Sequence, residues 1–340
     1  MLAPMTVIHL AQTLFAGAEK IAEQLLAMHR LTHNEKVDTL SSPLLRWFDY
    51  RLRFIEPRPR RVHYSNRFPS VVTEQFAENF HTLEQAIKLG ADLNRFQSKG
   101  LVRNDTSGTR RKNRTDLLWA EWGIHHLHIE SPELDPGEYF SARADFLLFA
   151  IFYHDDVFFI DIHPHSGDDY LFERDSLVMT VAENWPQVIE PFKSRSVSPP
   201  TTTWTAADRK QLRSAGINSP LVIDGKVCFS LGGITSAATS TLAVEAQGQL
   251  RNDLKSIAEH VLNSREFLSV LPPDAKPEES FSLALTSRGT TLICESTNSG
   301  WPFADAKHDG TDGPFARLGY ALTPPWIKAA LAAKYEQPRG

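Results

Sequence analysis

Three strand-length runs of aromatic and β-branched residues constrain the fold of this 340-residue chain most strongly. The runs are WGIHHLHI, FLLFAIFY and VFFIDIH, and they lie between Trp122 and His163. The second and third runs flank a short polar break, His154-Asp155-Asp156, and this arrangement is typical of a β-hairpin. The sequence therefore predicts an antiparallel sheet in the middle of the chain.

The rest of the chain predicts an α+β fold in three consecutive regions. We expect a helical N-terminal region over residues 1–100, a central domain over 101–195 with a mainly antiparallel sheet and flanking helices, and a C-terminal α+β domain over 205–325. The tract Ser194–Trp204 is rich in proline, serine and threonine, so we interpret it as the linker before the last region.

Periodicity and turn residues predict individual elements. A helix is expected over Val72–Leu89, with Gly90 directly after its last turn. Two further helices and two hairpin turns are expected, the helices over residues 206–215 and 244–262 and the turns at Asp224-Gly225 and Arg288-Gly289.

Charge and cysteine content narrow the classes of function. The formal net charge of -5 argues against bulk electrostatic capture of nucleic acid. The two cysteines, Cys228 and Cys294, lie far apart in strand-like segments, so we expect no disulfide framework and a reducing compartment. The N-terminus lacks the basic segment of a signal peptide, and no apolar run approaches the roughly 18 to 20 residues of a membrane span. We therefore expect a cytoplasmic protein without membrane contact.

Two stretches are locally basic, Arg51–Arg61 and Arg103–Arg114. The favoured interpretation of each is a solvated loop. The alternative is phosphate binding. The candidate nucleic-acid contacts in the second stretch are Arg110, Arg111, Lys112 and Arg114.

Several other polar segments favour structural interpretations. Asp116 is placed to cap the helix of TDLLWAEW, and Glu121 in that helix is expected to face solvent. His125 is expected in the core or an interface. The glycine-containing segment Ser230–Thr235 follows a predicted strand but has neither of the usual phosphate-loop patterns, so no phosphate site is predicted there.

Alternation along the strands groups the histidines. In the first run, His126 and His128 share one face and His125 lies on the other. In the last run, the predicted polar face carries Phe159, Asp161, His163 and His165. The opposite, apolar face is expected to carry Phe158, Ile160 and Ile162.

If these strands are neighbours or near neighbours in one sheet, the imidazoles and Asp161 suit two chemistries. One is metal-free acid–base catalysis, with His126 or His128 as base, His163 or His165 as acid, and Asp161 orienting one ring. The other is a divalent transition metal, the alternative to having no cofactor, with ligands from the same four histidines. A purely structural role for the cluster remains open beside both.

Three stretches, RLRFIEPRPRRVHYS, KLGADLNRFQSKG and RTDLLWAEWGIHHLHI with the strands after it, resemble a bacterial protein family with a WGIHHLH core, over roughly residues 45–190. The resemblance to that family implies no particular activity. The order of the three strand runs also resembles that of RelE-type ribonuclease toxins. This second resemblance implies RNA cleavage of a toxin or defence type, with His128, Arg143 and His165 near the active face.

Three hypotheses of function follow. The first is a nucleic-acid-directed hydrolase, a ribonuclease in which Arg143 and the basic stretch around Arg110 hold phosphate. The second is a metal-dependent enzyme that uses the same imidazoles. The third is a non-enzymatic module that binds a protein partner through the aromatic-rich sheet and the C-terminal hairpins.

Overall fold

The computed structural model describes residues 6–33, 42–69, 74–103, 115–130, 138–141, 144–237, 239–269, 281–307 and 311–336. In these residues the helices are α1 (Val7–Met28), α2 (Pro43–Arg53), α3 (Glu74–Leu89), α4 (Gly100–Arg103), α5 (Leu117–Trp122), α6 (Asp175–Asn184), α7 (Pro186–Ile189), α8 (Ala206–Ser214), α9 (Thr241–Asn263), α10 (Arg265–Ser269), α11 (Pro314–Leu322) and α12 (Pro325–Glu336). The strands are β1 (Arg61–Tyr64), β2 (His125–His128), β3 (Phe146–Phe152), β4 (Asp156–Pro164), β5 (Leu221–Ile223), β6 (Lys226–Cys228), β7 (Phe281–Thr286), β8 (Gly289–Cys294) and β9 (Ser299–Pro302). The chain therefore has an α+β fold, as predicted.

The chain divides into two compact units. The terminal unit comprises Met1–Glu35, Leu40–Phe48 and Ala243–Gly340, and the central unit comprises Lys36–Thr39 and Asp49–Leu242. In the terminal unit α1 packs against β7, which belongs to an antiparallel sheet of order β7–β8–β9. None of the helices in the described part of the chain is long and apolar enough to cross a membrane.

This division differs from the three consecutive regions predicted over 1–100, 101–195 and 205–325. Strand β1 lies in the predicted helical region, yet it pairs in parallel with β4 of the central sheet. The β5–β6 hairpin lies beyond the predicted linker, yet it contributes to the core around that sheet. Both contacts join segments that are far apart in sequence, so no local sequence pattern predicts them.

The central sheet has the strand order β1–β4–β3–β2. Strands β3 and β4 form the predicted antiparallel hairpin, with its turn at His154 and Asp155, and β2 pairs antiparallel with β3. Strand β3 thus lies between the two histidine-bearing strands. Since neighbouring strands lie about 4.8 Å apart, β2 and β4 are separated by about 10 Å.

A β-bulge at Ile160 corrects the predicted faces of β4. Asp161 pairs with Phe149, whereas Phe159 pairs with the residue that follows Phe149, so Ile160 has no partner of its own on β3. The extra residue reverses the alternation of side chains. The prediction that placed Phe159 beside Asp161 was therefore wrong, because Phe159 belongs to the opposite core and Ile160 and Phe158 lie on the side of Asp161.

Apolar clusters cover both faces of the central sheet. On the side of Phe149 the cluster includes α6 and the β5–β6 hairpin through Leu177, Val181, Leu221 and Cys228. On the other side the sheet packs against α3 through Phe80, Leu83 and Ile87. The sheet is thus held between two cores, with His126 and His128 on the side of the first and His125 on the side of the second.

Most predicted local elements are confirmed. Helix α3 ends at Leu89, and Gly90 follows it with φ +76°. The predicted helices over 206–215 and 244–262 correspond to α8 and α9, and both predicted hairpins are present as β5–β6 and β7–β8. The pattern missed β9, which pairs with β8.

The basic stretch Arg51–Arg61 is not the solvated loop that was expected. Arg53 and Arg60 are buried, and the guanidinium of Arg60 donates to the carbonyl oxygens of Glu56 and Tyr153 at 2.9 and 2.8 Å. Arg61 is exposed but makes two hydrogen bonds to the carboxylate of Asp156, its partner across β1 and β4. The stretch is therefore folded against the central unit, with Arg60 buried and Arg61 paired with Asp156 at the sheet edge.

Candidate active site

One face of the central sheet, which we call the histidine face, carries His126 and His128 from β2 and Asp161 and His163 from β4. His165 directly follows β4 and contacts His128 on this face. His126 pairs with Phe149, which pairs with Asp161 on β4. His128 pairs with Leu147, which pairs with His163. Residues directly opposite one another in a sheet point to the same side.

The first pair on the histidine face is His126 with Asp116. Nδ1 of His126 lies 3.1 Å from Oδ2 of Asp116, and both side chains are largely buried. The contact has the distance of an ion pair without the angle of a hydrogen bond. Hydrogen bonds between catalytic groups are often poorly aligned before a substrate binds.

The second pair is His163 with Asp161 on β4. Nε2 of His163 lies 3.0 Å from Oδ2 of Asp161, again without the angle of a hydrogen bond. The other carboxylate oxygen of Asp161 accepts from the N–H of Ile162 at 2.8 Å, which fixes the carboxylate on the strand. The sequence predicted that Asp161 orients one imidazole ring, and His163 is the histidine that it contacts.

His128 and His165 form a third contact at the end of the sheet. Their ring centroids lie 5.4 Å apart. Nδ1 of His128 accepts from the N–H of Ala144 at 3.3 Å, and the N–H of His165 donates to the carbonyl of Asp145 at 2.7 Å. Both histidines are therefore tied to the segment that leads into β3.

Two phenylalanines separate the first and second pairs. Phe149 on β3 lies with its ring centroid 6.4 Å from that of His126 and 5.8 Å from that of His163. Phe172, in the 3-10 turn Leu171–Glu173, contacts His126 at 5.1 Å and Phe149 at 6.0 Å. The two imidazole–carboxylate pairs thus flank an aromatic floor, which the sequence pattern did not indicate.

Helix α5 positions Asp116. Oδ1 of Asp116 accepts from the N–H of Trp119 at 3.1 Å, so the predicted N-cap is confirmed, and Oδ2 is left to face His126. The helix ends at Gly123, whose φ of +67° lets the chain turn at once into β2. A short helix and a tight turn therefore bring residues ten positions apart into contact.

The glycines of the segment Ser230–Thr235 cap the other end of α5. The N–H groups of Gly232 and Gly233 donate to the carbonyls of Glu121 and Ala120 at 3.1 and 2.7 Å. A Cβ at Gly232 would lie 2.4 Å from the carbonyl oxygen of Ala120, so only glycine fits this approach. The glycines are needed for packing against the helix.

Glu121 corrects an expectation, because it is buried and not solvent-facing. Its side chain is fully buried, with Oε2 2.5 Å from Nε of Arg213 on α8 and Oε1 accepting from the N–H of Ser219 at 3.2 Å. Nothing in the local pattern revealed this pair, because its partners are separated by 92 residues.

Burial and neighbouring charges shift several pKa values around the histidine face. Burial would raise the pKa of Asp116, but the charges of His126 and Arg53 outweigh it and hold that pKa well below its ordinary value. On the opposite face, burial lowers the pKa of His125 to about 4. Burial also raises the pKa of Glu173, which follows Phe172 in the 3-10 turn. Asp116 is thus held as a carboxylate, whereas His125 is held neutral, as expected of a core residue.

The remaining predicted site residues are Arg143 and the basic group Arg110, Arg111, Lys112 and Arg114, and they lie outside the described residues. Within the described ranges, no group of three or more histidine, cysteine or acidic residues is arranged to hold a metal ion. The metal-dependent alternative, with His126, His128, His163 and His165 as ligands, stays a prediction.

The arrangement can take up and give back protons at two places on one surface. Each of two imidazoles has a carboxylate at one ring nitrogen, which leaves the other nitrogen for a substrate.

Three comparisons, with protein-family models, curated proteins and solved structures, found no match to this chain.

Proposed function

We propose that this chain is an RNA-cleaving hydrolase that uses histidine acid–base catalysis. The observation that carries the proposal is the pair of imidazole–carboxylate contacts, His126 with Asp116 and His163 with Asp161, on one face of one sheet. Histidine titrates close to neutral pH, and an orienting carboxylate fixes which ring nitrogen meets the substrate. Two such pairs supply the base and the acid that cleavage of a phosphodiester next to a hydroxyl requires.

The reaction needs no further reagent. One imidazole, of His126 or His128, removes the proton from a ribose 2′-hydroxyl, and the 2′-oxygen attacks phosphorus. The bond from phosphorus to the 5′-oxygen breaks, and the second imidazole, of His163 or His165, gives a proton to that oxygen. The products are a 2′,3′-cyclic phosphate and a 5′-hydroxyl. Phosphate binding by Arg143 and by Arg110, Arg111, Lys112 and Arg114 completes the proposal.

Substitution of one imidazole from each pair tests this role. We expect His126→Gln and His163→Gln each to lower the rate of RNA cleavage by at least about 100-fold, since acid–base catalysis contributes about 10² to 10⁴. His154→Gln is the matched control, because His154 lies in the exposed β3–β4 turn and contacts Asp155 there. An all-2′-deoxy oligonucleotide of the same sequence should remain intact. Full cleavage by one site variant, with circular dichroism unchanged, would exclude that imidazole from the mechanism, and full cleavage by both would contradict the proposal.

A chelator distinguishes the acid–base role from the metal-dependent alternative. Cleavage that proceeds unchanged in EDTA is expected for acid–base catalysis. Loss of activity in EDTA, restored by one transition metal, would instead assign the four histidines of the face as ligands. RNA that is neither cleaved nor bound would favour the protein-interaction hypothesis.

A further inference from the structure

Two elements from different parts of the chain contact His126. Helix α5 presents the carboxylate of Asp116 to Nδ1 of the ring, and the 3-10 turn Leu171–Glu173 presents the ring of Phe172 to its side. The position of this imidazole therefore depends on how these two elements are held relative to each other.

One side chain outside the histidine face holds both elements. Nε of Arg213 on α8 donates to the carboxylate of Glu121 in α5, and Nη1 of Arg213 donates to the carbonyl oxygen of Phe172. Arg213 is 3% exposed and Glu121 is fully buried. A guanidinium is planar, and its donors point in fixed directions, so the two bonds set the distance between helix and turn.

Arg209, one turn earlier on α8, strengthens the same arrangement. Its Nε donates to the carbonyl oxygen of Glu173 at 2.9 Å, and its Nη1 donates to that of Trp204 at 2.7 Å. Successive backbone carbonyls of the 3-10 turn are thus held by two arginines of one helix face. The charge of Arg213 is balanced by Glu121, so its effect on His126 is one of position.

We infer that Arg213 is a positioning residue for His126, which acts by tying α5 and the Phe172 turn together. The catalytic meaning of this inference rests on the proposed function, but the geometry does not. A buried ion pair that only stabilised the fold would leave the environment of the His126 ring unchanged once the protein is folded. A positioning residue alters that environment in the folded state.

The variant Arg213→Lys separates the two roles. Lysine keeps the positive charge for Glu121 but is a single point donor, so it does not hold two acceptors in fixed directions. We expect the ring resonance of His126, assigned by its loss in His126→Gln, to shift in the NMR spectrum, because the ring current of Phe172 moves. We also expect kcat for RNA cleavage to fall about tenfold or more with little change in KM.

Arg60→Lys is the matched control, because Arg60 is also a buried arginine of the central unit and donates to backbone carbonyls away from the histidine face. It should leave the His126 resonance in place. An unchanged His126 resonance in folded Arg213→Lys would overturn the inference.

A second variant covers the case in which Arg213→Lys does not fold. Glu121→Gln keeps the size of the side chain and weakens the bond to Arg213, so it should shift the same resonance in the same direction; an unmoved resonance there would equally overturn the inference. If the resonance shifts in either variant but the wild-type protein cleaves no RNA, the positioning role stands and the proposed function fails.

Discussion

Oδ2 of Asp116 lies 3.1 Å from Nδ1 of His126, while Oδ1 of the same carboxylate caps helix α5 through the N–H of Trp119. One side chain thus begins a helix and faces an imidazole on the following strand. Because the cap fixes the carboxylate, the direction of the His126 ring depends on the first turn of α5. The charge of Asp116 and its capping role can be tested separately.

Asp116→Asn should impair cleavage more than stability. Asparagine caps helices about as well as aspartate, so α5 should still form. The amide cannot supply the negative charge that balances a protonated His126. We therefore expect the rate of RNA cleavage to fall at least about tenfold in a steady-state assay, with an unchanged circular dichroism spectrum.

Asp208→Asn is the control for that substitution. Asp208 lies in the first turn of α8 and forms a capping box with Thr205 at an exposed site. The same chemical change should leave cleavage unaffected there. Equal losses of activity in the two variants would show that Asp116 acts only through helix stability.

Gly232→Ala should destabilise the central unit. The added methyl group would lie 2.4 Å from the carbonyl oxygen of Ala120, which is backbone and must shift to make room. Overpacking of this kind costs about 1 to 3 kcal/mol of unfolding free energy. Urea denaturation followed by circular dichroism measures the loss.

Gly248→Ala provides the comparison for this glycine. Gly248 lies within α9, and nothing stands within 4 Å of a Cβ built there. Alanine should therefore raise the unfolding free energy by up to about 1 kcal/mol through helix propensity. Opposite signs for the two variants are expected, and a neutral Gly232→Ala would contradict the close approach of that segment to α5.

Arg60→Met should destabilise the fold far more than Arg61→Met, although the two arginines are adjacent. Arg60 is buried and donates to the carbonyl oxygens of Glu56 and Tyr153, which would lose their partners. A hydrogen bond from a charged donor contributes about 1.5 to 3 kcal/mol, and Arg60→Met loses both. Arg61 makes its ion pair with Asp156 at an exposed edge, where such pairs contribute little. Similar urea midpoints for the two variants would contradict this account.

Local patterns were sufficient for the strands other than β1 and β9, and for one half of the candidate site. Alternation placed His126 and His128 on one face of β2, because that strand pairs regularly with β3. In β4 the run of apolar residues gives no sign of the bulge at Ile160, since both faces of the strand are covered by core. The polar face was therefore assigned correctly for His163 and Asp161 relative to each other, but not for Phe159.

The contacts that organise the site were beyond the reach of local patterns. The preference of aspartate for helix N-termini identified Asp116 as a cap, but its contact with His126 also depends on the turn at Gly123. Arg213 reads as a solvated residue of an amphipathic helix, and its buried bond to Glu121 appears only when α8 packs on α5. Burial of a charged side chain depends on tertiary packing, so the sequence periodicity around Arg213 or Glu121 does not predict it.

The buried ring of His125 predicts a pH dependence of stability with a definite sign. Burial lowers its pKa to about 4 from an ordinary value of 6.5 in the unfolded chain. Above pH 6.5 both states are neutral at this residue. As the pH falls from 6.5 toward 4, the unfolded chain binds a proton that the folded chain does not, so stability is lost by about 1.4 kcal/mol per pH unit.

The low pKa of Asp116 acts in a different window. Its folded-state pKa lies below the ordinary 3.8, so the stability that it contributes is present above that pH and is lost only on further acidification. Between pH 7.5 and 5 the change in unfolding free energy therefore contains the contribution of His125 but not that of Asp116.

His125→Gln isolates the histidine contribution. Nε2 of His125 lies 3.3 Å from the carbonyl oxygen of Arg53, and the amide nitrogen of glutamine can donate to the same oxygen without titrating. From urea denaturation at pH 7.5 and at pH 5, we expect the wild-type protein to lose about 2 kcal/mol more than the variant does. Burial also lowers the pKa of His29 to about 4. Because His29 is present in both proteins, its contribution to the unfolding free energy cancels in this difference. Equal losses in the two proteins would mean that the His125 ring takes up its proton in the folded state without penalty.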